Sequence, residues 1–385
     1  MADQRGHLSP VVPEPTVVVL GGGPAGCATA IALRRSGTGT VIVAESGAYG
    51  TDRIGETVPP DTRRLFTRLG LLDAFELEGH EPSYGSRSSW GSDGLGHNDF
   101  AFDPNGPGFH LDRRRFNAFL ARCAGEAGAH VITGARYRSV RPHGRESAEG
   151  GHVVEFDIGG RIRRVKASFV VDATGSTARF ARDLGARRLV HDRFFCATGY
   201  FHLRDGAGFA PLTMLEAVPD GWWYAARLPD RRIAAALACD GDDLRTAALH
   251  ESGSWLRRLS RTAFLAPALA ESFYLPGSLK VCPVPCSVLD RPAGPHWLAA
   301  GDAASCFDPL SGQGIHKALS NGLQAADTIR AHLRGDRTAV ERYAEGIRRS
   351  FDSFLGRREL FYGWERRWPE AAFWVRRRNP VGTGS

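Results

Sequence analysis

The sequence predicts an α/β fold in which a parallel-sheet unit is interleaved with an antiparallel one and followed by a helical C-terminus. Three observations predict it. A short β-branched run stops at a cluster of glycines, two later strand-like runs stop at aspartate and glycine, and the middle third is cut into short runs by Asp, Gly and Pro.

The first element is "TVVVLGGGPAGCATAIALRRSG". Val17 to Leu20 reads as a strand, and a helical pattern runs from Pro24 and Ala25 through Arg35. Gly21, Gly23 and Gly26 form G-x-G-x-x-G between the two. One glycine permits the tight turn, one lets a pyrophosphate approach the backbone, and one lets the helix pack close to the strand. The helix N-terminus then offers unpaired N–H groups and a positive dipole end to phosphate. A second strand, "GTVIVAES", ends in Glu45, nineteen residues past Gly26, where an acid would bind ribose hydroxyls. Strand, helix, second strand and acid in register predict a Rossmann-type dinucleotide site.

"RIGETVPP" follows, and its two prolines open the helical pattern "DTRRLFTRLGLLDAF". Glu56 is either a charge at the helix entry or a group facing a ligand. "FVVDATG" reads as a strand, Phe169 to Val171, running into a tight turn at Asp172 and Gly175. Such a turn is an ordinary strand exit or part of a ligand site at the carboxyl edge of a parallel sheet. Between roughly residues 190 and 290, "FFCATGYFHL", "LTMLEAV", "GWWYAARLP" and "RRIAAALACD" suggest an antiparallel sheet. Trp222, Trp223 and Tyr224 fit packing on such a sheet.

The chain then returns to "GPHWLAAGDAASCFDPLSGQGIHKAL". A strand, His296 to Ala300, ends at Gly301 and Asp302, and the loop through Pro309, Gly312, Gln313 and Gly314 enters a long helix near Ile315. This brings a second backbone surface and an acid to the ligand of the first loop. Asp302 can accept hydrogen bonds from a polyol such as ribityl, and amides at the helix N-terminus can stabilise negative charge on a reduced flavin ring. NAD needs no such second loop, so the predicted cofactor is FAD.

Bulk properties narrow the class further. A 385-residue chain with 42% hydrophobic and 24% charged residues is ordinary for a globular protein. No run of apolar residues is long enough to span a membrane. "MADQRGHLSPVVPEPT" lacks the apolar core of a signal peptide, so a disordered lead-in over residues 1–15 and a cytoplasmic location are expected. The net charge of +7 comes from arginine, since the only lysines are Lys166, Lys280 and Lys317. This is the bias of a GC-rich coding sequence as much as a binding patch, and no nucleic-acid partner is expected. The basic, aromatic end "WERRWPEAAFWVRRR" is either a structural or solvated tail or a surface for an acidic partner. The seven cysteines have no zinc-type spacing; free thiols and no metal are expected, even at "CPVPC".

With these motifs in place, the sequence resembles the FAD-dependent monooxygenases of the para-hydroxybenzoate hydroxylase superfamily. The resemblance rests on the glycine fingerprint with Glu45, "DATG", "GDAA…DPLSGQGI", and "HLDRRRF" with Arg113 at the family's arginine position. It covers roughly residues 17 to 378. "RIGETVPP", "SYGSRSSWGSDG", "GFHLDRRRF", "GWWYAARLP" and "RRWPEAAFWVRRR" look like the tryptophan-halogenase-like branch. That branch includes flavoproteins that help build protein-derived quinone cofactors.

The resemblance implies an FAD-binding domain from residues 16–75, 111–185 and 290–335. It implies a substrate domain from 76–110 and 186–289, and a helical segment from 336–385. Arg53 and Arg113 join the cofactor-binding set, Glu56 and His110 become the acid/base candidates, and Gln313 with its neighbouring amides faces the flavin ring. The implied reaction is hydroxylation of an electron-rich phenol or indole, free, carrier-bound or peptidyl, with molecular oxygen through a flavin C4a-hydroperoxide. Electrons would come from NAD(P)H or a partner flavin reductase.

Two departures set the chain apart from halogenases. Residues 57 to 165 hold no lysine where halogenases place one soon after the Gly-Glu stretch, and the tryptophan positions of W-x-W-x-I-P hold Tyr224 and Ala226. A flavin-dependent dehydrogenase, oxidase or double-bond reductase is the alternative to a monooxygenase.

Overall fold

The computed structural model describes residues 14–143 and 150–378. The expected lead-in therefore falls almost wholly outside the described residues. Five parallel strands lie side by side in the order Trp297–Ala299, Phe169–Asp172, Thr16–Leu20, Thr40–Glu45 and His130–Thr133. An antiparallel pair of residues, Ala293–Gly294, borders Trp297–Ala299. The two central strands are the "VVVL" and "FVVD" runs, and their apolar residues are fully buried because the helix Pro24–Arg35 and strands of a three-stranded antiparallel sheet within residues 135–167 pack against them. Leu20, Glu45, Asp172 and Ala299 all fall at the carboxyl ends of their strands, on one edge of the sheet.

Two helices fix that edge. Pro24–Arg35 starts at Gly23 with proline in its first turn, as its sequence predicts. Gly314–Leu333 crosses it at very short range: a Cβ on Gly322 would meet Ala25 O at 2.6 Å and Ala28 Cβ at 2.6 Å. Only glycine admits this contact, and it sets the "GDAA…GQG" loop beside the first glycine loop. Gly301, at φ +64°, sits 2.8 Å from the Ala25 methyl by the same measure.

The single helical pattern read over 61–75 is two helices, Thr62–Arg68 and Leu72–Glu76. Gly70 separates them at φ +62°, a left-handed conformation that ends the first helix. The three-stranded antiparallel sheet of Ala135–His143, Gly151–Ile158 and Arg161–Ala167 had no counterpart in the sequence reading.

The middle third forms the antiparallel sheet its turns predict. Its core order is Phe195–Leu203, Arg232–Cys239, Gly221–Arg227 and Thr213–Val218. Gly85–Ser89 and Gly96–Asp99 extend this sheet, with Gly85–Ser89 parallel to Thr213–Val218. Ser272–Tyr274 and Lys280–Pro283 both pair with Phe195–Leu203. Helices Gly241–Thr246, Ser252–Leu259 and Leu265–Ala268, absent from the sequence reading, accompany the sheet, and Trp255 packs with Trp223 on one of its faces. The aromatic triplet splits by strand alternation. Trp223 packs on that face with Trp255, while Trp222 turns to the other, with Tyr362, Phe373 and Trp374.

Those last aromatics belong to the C-terminal helices Ala339–Trp364 and Ala372–Arg378. The basic tail is anchored by a few buried residues, Glu365, Phe373, Trp374 and Arg377, while Trp364, Arg366 and Arg376 are exposed. Arg377, 1% exposed, donates to Asp240 at 2.7 Å and to Asp192 at 3.2 Å. Arg358 donates to Asp308 at 2.8 Å and also pairs with Asp192. Tyr362 donates to Asp308 at 2.9 Å and accepts from Trp222 Nε1 at 3.1 Å. The tail thus ties the antiparallel sheet to the loop that carries Pro309. Arg376 pairs with Asp240 at the surface.

Candidate active site

The first glycine loop has the form its spacing demands. A Cβ on Gly21, at φ +103°, would lie 2.2 Å from Ala173 O, and one on Gly26 would lie 1.9 Å from Gly21 O. Both positions are closed to any other residue. Gly23 is the reverse: a Cβ there would meet nothing within 4 Å. The same holds at Gly175, Gly312 and Gly314. Four glycines from three chain segments therefore border open space, the shape of a backbone cradle for a large ligand. Glu45 is 6% exposed and accepts from the Gly22 amide at 2.8 Å and the Gly47 amide at 2.7 Å. Its carboxylate braces the loop from the end of the second strand.

The two later segments meet this loop. Asp172 is fully buried; its carboxylate accepts from Thr174 N and Oγ1 at 3.0 and 2.7 Å and from the Ala181 amide at 2.9 Å. Burial raises its pKa. Asp172 builds the turn that carries Gly175 and leaves the ligand space to the backbone. Asp302 is half exposed and accepts from Lys317 Nζ at 2.8 Å. Lys317, 6% exposed, also donates to Ser305 O and lies 4.6 Å from the Phe307 ring centre. Sequence reading missed Lys317, although it lies one helical turn past Gln313.

Asp308 caps the Pro309–Ser311 turn by accepting from the Leu310 amide at 3.0 Å. Gly312 follows at φ +61°, Gln313 is the cap of the long helix, and Ile315 is buried in its first turn. The Gln313 side chain borders a separate groove of about 560 Å³ between the last two long helices.

A cavity of about 350 Å³ gathers residues from several of the segments singled out by sequence, though none from the glycine loops at 21–26 and 309–315. Asp52, Arg53 and Ile54 come from the stretch before Glu56, Arg113 from the start of its helix, and Ser176 from the turn after Gly175. Asp302 closes the parallel-sheet side. Thr198, Tyr200, Lys280 and Cys282 come from two paired strands of the antiparallel sheet. Arg113 Nη1 donates to Ile54 O and Gly55 O at 2.8 Å each, which fixes the Asp52–Ile54 loop on the cavity rim. Its Nε is buried without a partner. The buried, unpartnered donor and the glycine cradle fit an anionic dinucleotide with a polyol chain. Arg53, Arg113, Asp302 and the four open glycines could hold it.

Glu56 and His110 stand behind this cavity. Glu56 is 2% exposed, accepts from its neighbour's amide, Gly55 N, at 3.1 Å, and accepts from Tyr200 Oη at 3.4 Å. Burial pushes its pKa up to about 7 against the opposing pull of Arg113. Tyr200 is held protonated by burial and by Glu56. Tyr224, on the same sheet face, hydrogen-bonds Thr57 at 2.8 Å. His110 is fully buried, with Nε2 3.0 Å from Thr213 Oγ1, and burial lowers its pKa to about 4. It is neutral at physiological pH and does not line the cavity. Thr198 and Tyr200 carried no sequence signal, and Lys280 and Cys282 stood out only as a rare lysine and as part of "CPVPC", because strand pairing alone brings the four together. All seven cysteines are free, and no cluster of three or more metal-ligating side chains exists among the described residues.

Comparison with known proteins agrees with this geometry. A family model described as FAD dependent oxidoreductase matches residues 16–182, less than half of the chain. LodB of Marinomonas mediterranea, named as an FAD-dependent oxidoreductase, is 29% identical over 94% of this chain and 96% of its own length. The sulochrin halogenase gedL of Aspergillus terreus is 24% identical over 88% of this chain and 68% of its own. Among solved structures, the peptidyl tryptophan dihydroxylase QhpG, essential for tryptophylquinone cofactor biogenesis, shares 28% identity with a TM-score of 0.76. The match covers 97% of this chain and 80% of that one. The flavin-dependent halogenase CmlS shares the fold at a TM-score of 0.84 and 24% identity, over 95% of this chain and 68% of that one.

The chain is an enzyme of the FAD-dependent oxidoreductase class. Its relatives, mostly flavin-dependent halogenases together with a tryptophan dihydroxylase, are the company of the tryptophan-halogenase-like branch that its motifs resemble.

Proposed function

We propose that this protein is an FAD-dependent monooxygenase that hydroxylates an electron-rich aromatic ring of the phenol or indole type, presented on a peptide. The observation that carries the reading is one cavity in which Arg53, Arg113 and Asp302 face Thr198 and Tyr200, with buried Glu56 hydrogen-bonded to Tyr200. Similarity to the peptidyl tryptophan dihydroxylase QhpG over 97% of this chain supports a peptidyl ring.

Bound FAD, reduced by NAD(P)H directly or through a partner flavin reductase, supplies the means to activate molecular oxygen. The chain's own residues do the rest. Gly21, Gly23, Pro24, Ala25, Gly26 and Glu45 hold the dinucleotide end, and Arg53, Arg113, Gly175, Gly301 and Asp302 hold its middle. The amides from Pro309 through Gly312, Gln313, Gly314 and Ile315 stabilise negative charge on the ring. The antiparallel sheet, through Thr198 and Tyr200, would shield a bound ring from water. Tyr200 meets the N–H or O–H of the substrate. Ionised Glu56 takes the tyrosine proton while Tyr200 takes the substrate's, so the buried carboxylate acts as base without touching the ring. His110 is a positioning residue that fixes Thr213 in the sheet.

Halogenation is the second reading, favoured by the halogenases among the relatives. Mass spectrometry of tryptophan- and tyrosine-containing peptides, after incubation with reduced holoprotein, oxygen and bromide, separates the two. We expect products heavier by one or two oxygen atoms and unaffected by bromide. Brominated peptide would replace this reading with the second.

A further inference from the structure

The proposed function leaves one wall of the cavity unexplained. Thr198 on the strand Phe195–Leu203 lies directly across from Lys280 on Lys280–Pro283. Strand alternation puts Tyr200 on the same face as Thr198, and all three line the cavity. Thr198 is 2% exposed, yet its Oγ1 is buried with no hydrogen-bond partner. A buried hydroxyl left unsatisfied is destabilising, so its position in a cavity wall points to a ligand.

The charges around it are unbalanced in one direction. Asp52 pairs with Arg114 at 3.2 Å and Arg232 at 3.7 Å, and Asp302 pairs with Lys317 at 2.8 Å. Both acids of the cavity are therefore answered from outside it. Arg113 donates from Nη1 to two carbonyls, and its free Nε falls to the cofactor in the proposed function. Arg53 lies in the segment assigned to the cofactor. Lys280 is exposed and has no ion pair among the described residues. Its amine has three donors and Thr198 can supply one more, while a carboxylate accepts only.

Resting on the reading of this cavity as an aromatic-substrate site, we infer that Thr198 and Lys280 form a carboxylate subsite. The substrate ring carries an acidic group close to it, paired with the Lys280 ammonium and receiving the Thr198 hydroxyl. A free aromatic acid or an acidic side chain next to the ring in a peptide would present the same chemistry. A cationic or amide-bearing equivalent leaves Lys280 without a counter-charge and is disfavoured.

Calorimetric binding to the FAD-loaded protein tests this without turnover. Indole propionate is compared with its primary amide, and a short peptide with glutamate beside tryptophan is compared with its glutamine twin. In at least one pair the acid binds about tenfold more tightly, as a charge-assisted pair requires, and the preference shrinks as salt rises. Lys280→Met abolishes the preference, Lys280→Arg retains most of it, and Thr198→Val weakens the acid alone. Lys280 is exposed, so flavin content and circular dichroism of its variants match the parent. A preference confined to the peptides assigns the carboxylate to the polypeptide; one confined to indole propionate assigns it to a small molecule. Equal binding of acid and amide in both pairs, no binding in either, or a preference that survives Lys280→Met overturns the subsite. If the preference holds but reduced holoprotein fails to oxygenate any ring, the monooxygenase reading falls and the subsite stands.

Discussion

Glu56 carries the largest conflict between stability and chemistry in the site. Its pKa rises from 4.5 to about 7 because burial penalises the charged form more than Arg113 relieves it. The folded state therefore binds this proton more tightly than the unfolded chain does. The sign follows: stability is intact below the unfolded value and declines as pH rises from about 4.5 through about 7. Above that range the cost is on the order of 3 kcal/mol. Glu56→Gln removes the charge and keeps the shape, so denaturant midpoints should be unchanged near pH 4 and higher than the parent's near pH 8. Activity should move the other way, since Tyr200 then has no base behind it. A variant equally stable with the parent at both pH values would show that the carboxylate is solvated. His110 runs opposite: its pKa, lowered to about 4, makes the folded state refuse a proton the unfolded chain accepts, so its contribution is lost as pH falls below the ordinary histidine range. The residue type of Glu56 and its place after the second strand made it legible in the sequence. Tyr200 was not, because nothing near it in the chain announces a partner 144 residues away.

Among elements, the crossing of Pro24–Arg35 with Gly314–Leu333 decides whether the two glycine loops share one ligand. Gly322 sits inside that crossing. Alanine is worth about 1 kcal/mol more than glycine in a helix interior, but its methyl would meet a backbone carbonyl and the Ala28 methyl, each at 2.6 Å. Overpacking against backbone costs about 1–3 kcal/mol. Gly322→Ala should therefore lower the melting temperature slightly and, more tellingly, lower the FAD content of purified protein by parting the loops. Unchanged flavin content would mean that the loops bind independently. The first loop could be read because its turn, cradle and packing glycines lie within six residues. The split at Gly70, the three-stranded sheet of 135–167 and the helices on the antiparallel sheet were missed. Their signals are short or depend on what packs against them. The register that sets Lys280 opposite Thr198 has no sequence signature at all.

Across the whole molecule, the C-terminal arginines bind three aspartates from three distant segments, Asp192, Asp240 and Asp308. The sequence leaves the tail structural, solvated or partner-facing, and burial decides it for Arg377. Losing one partner of a buried charge cluster costs about 3–5 kcal/mol. Arg377→Met should thus destabilise the protein severely in urea unfolding, whereas Arg349→Met, which breaks the exposed pair with Glu345, should cost under about 0.5 kcal/mol. Equal effects would mean that the tail is peripheral. Fold class, cofactor and the parallel-sheet edge were thus open to sequence reasoning, since local glycine and aspartate motifs encode them. The side chains that the antiparallel sheet brings to the cavity were closed to it, because strand register alone places them there.

The central claim is that this scaffold activates oxygen on a reduced flavin and shields it from water. Rapid mixing of anaerobically reduced holoprotein with oxygenated buffer, followed by flavin absorbance, tests it most directly. The account predicts a transient species between the reduced and oxidised spectra, one that decays faster when a suitable peptide is present. Direct return to oxidised flavin, with and without peptide, would contradict it and make the protein a dehydrogenase or reductase.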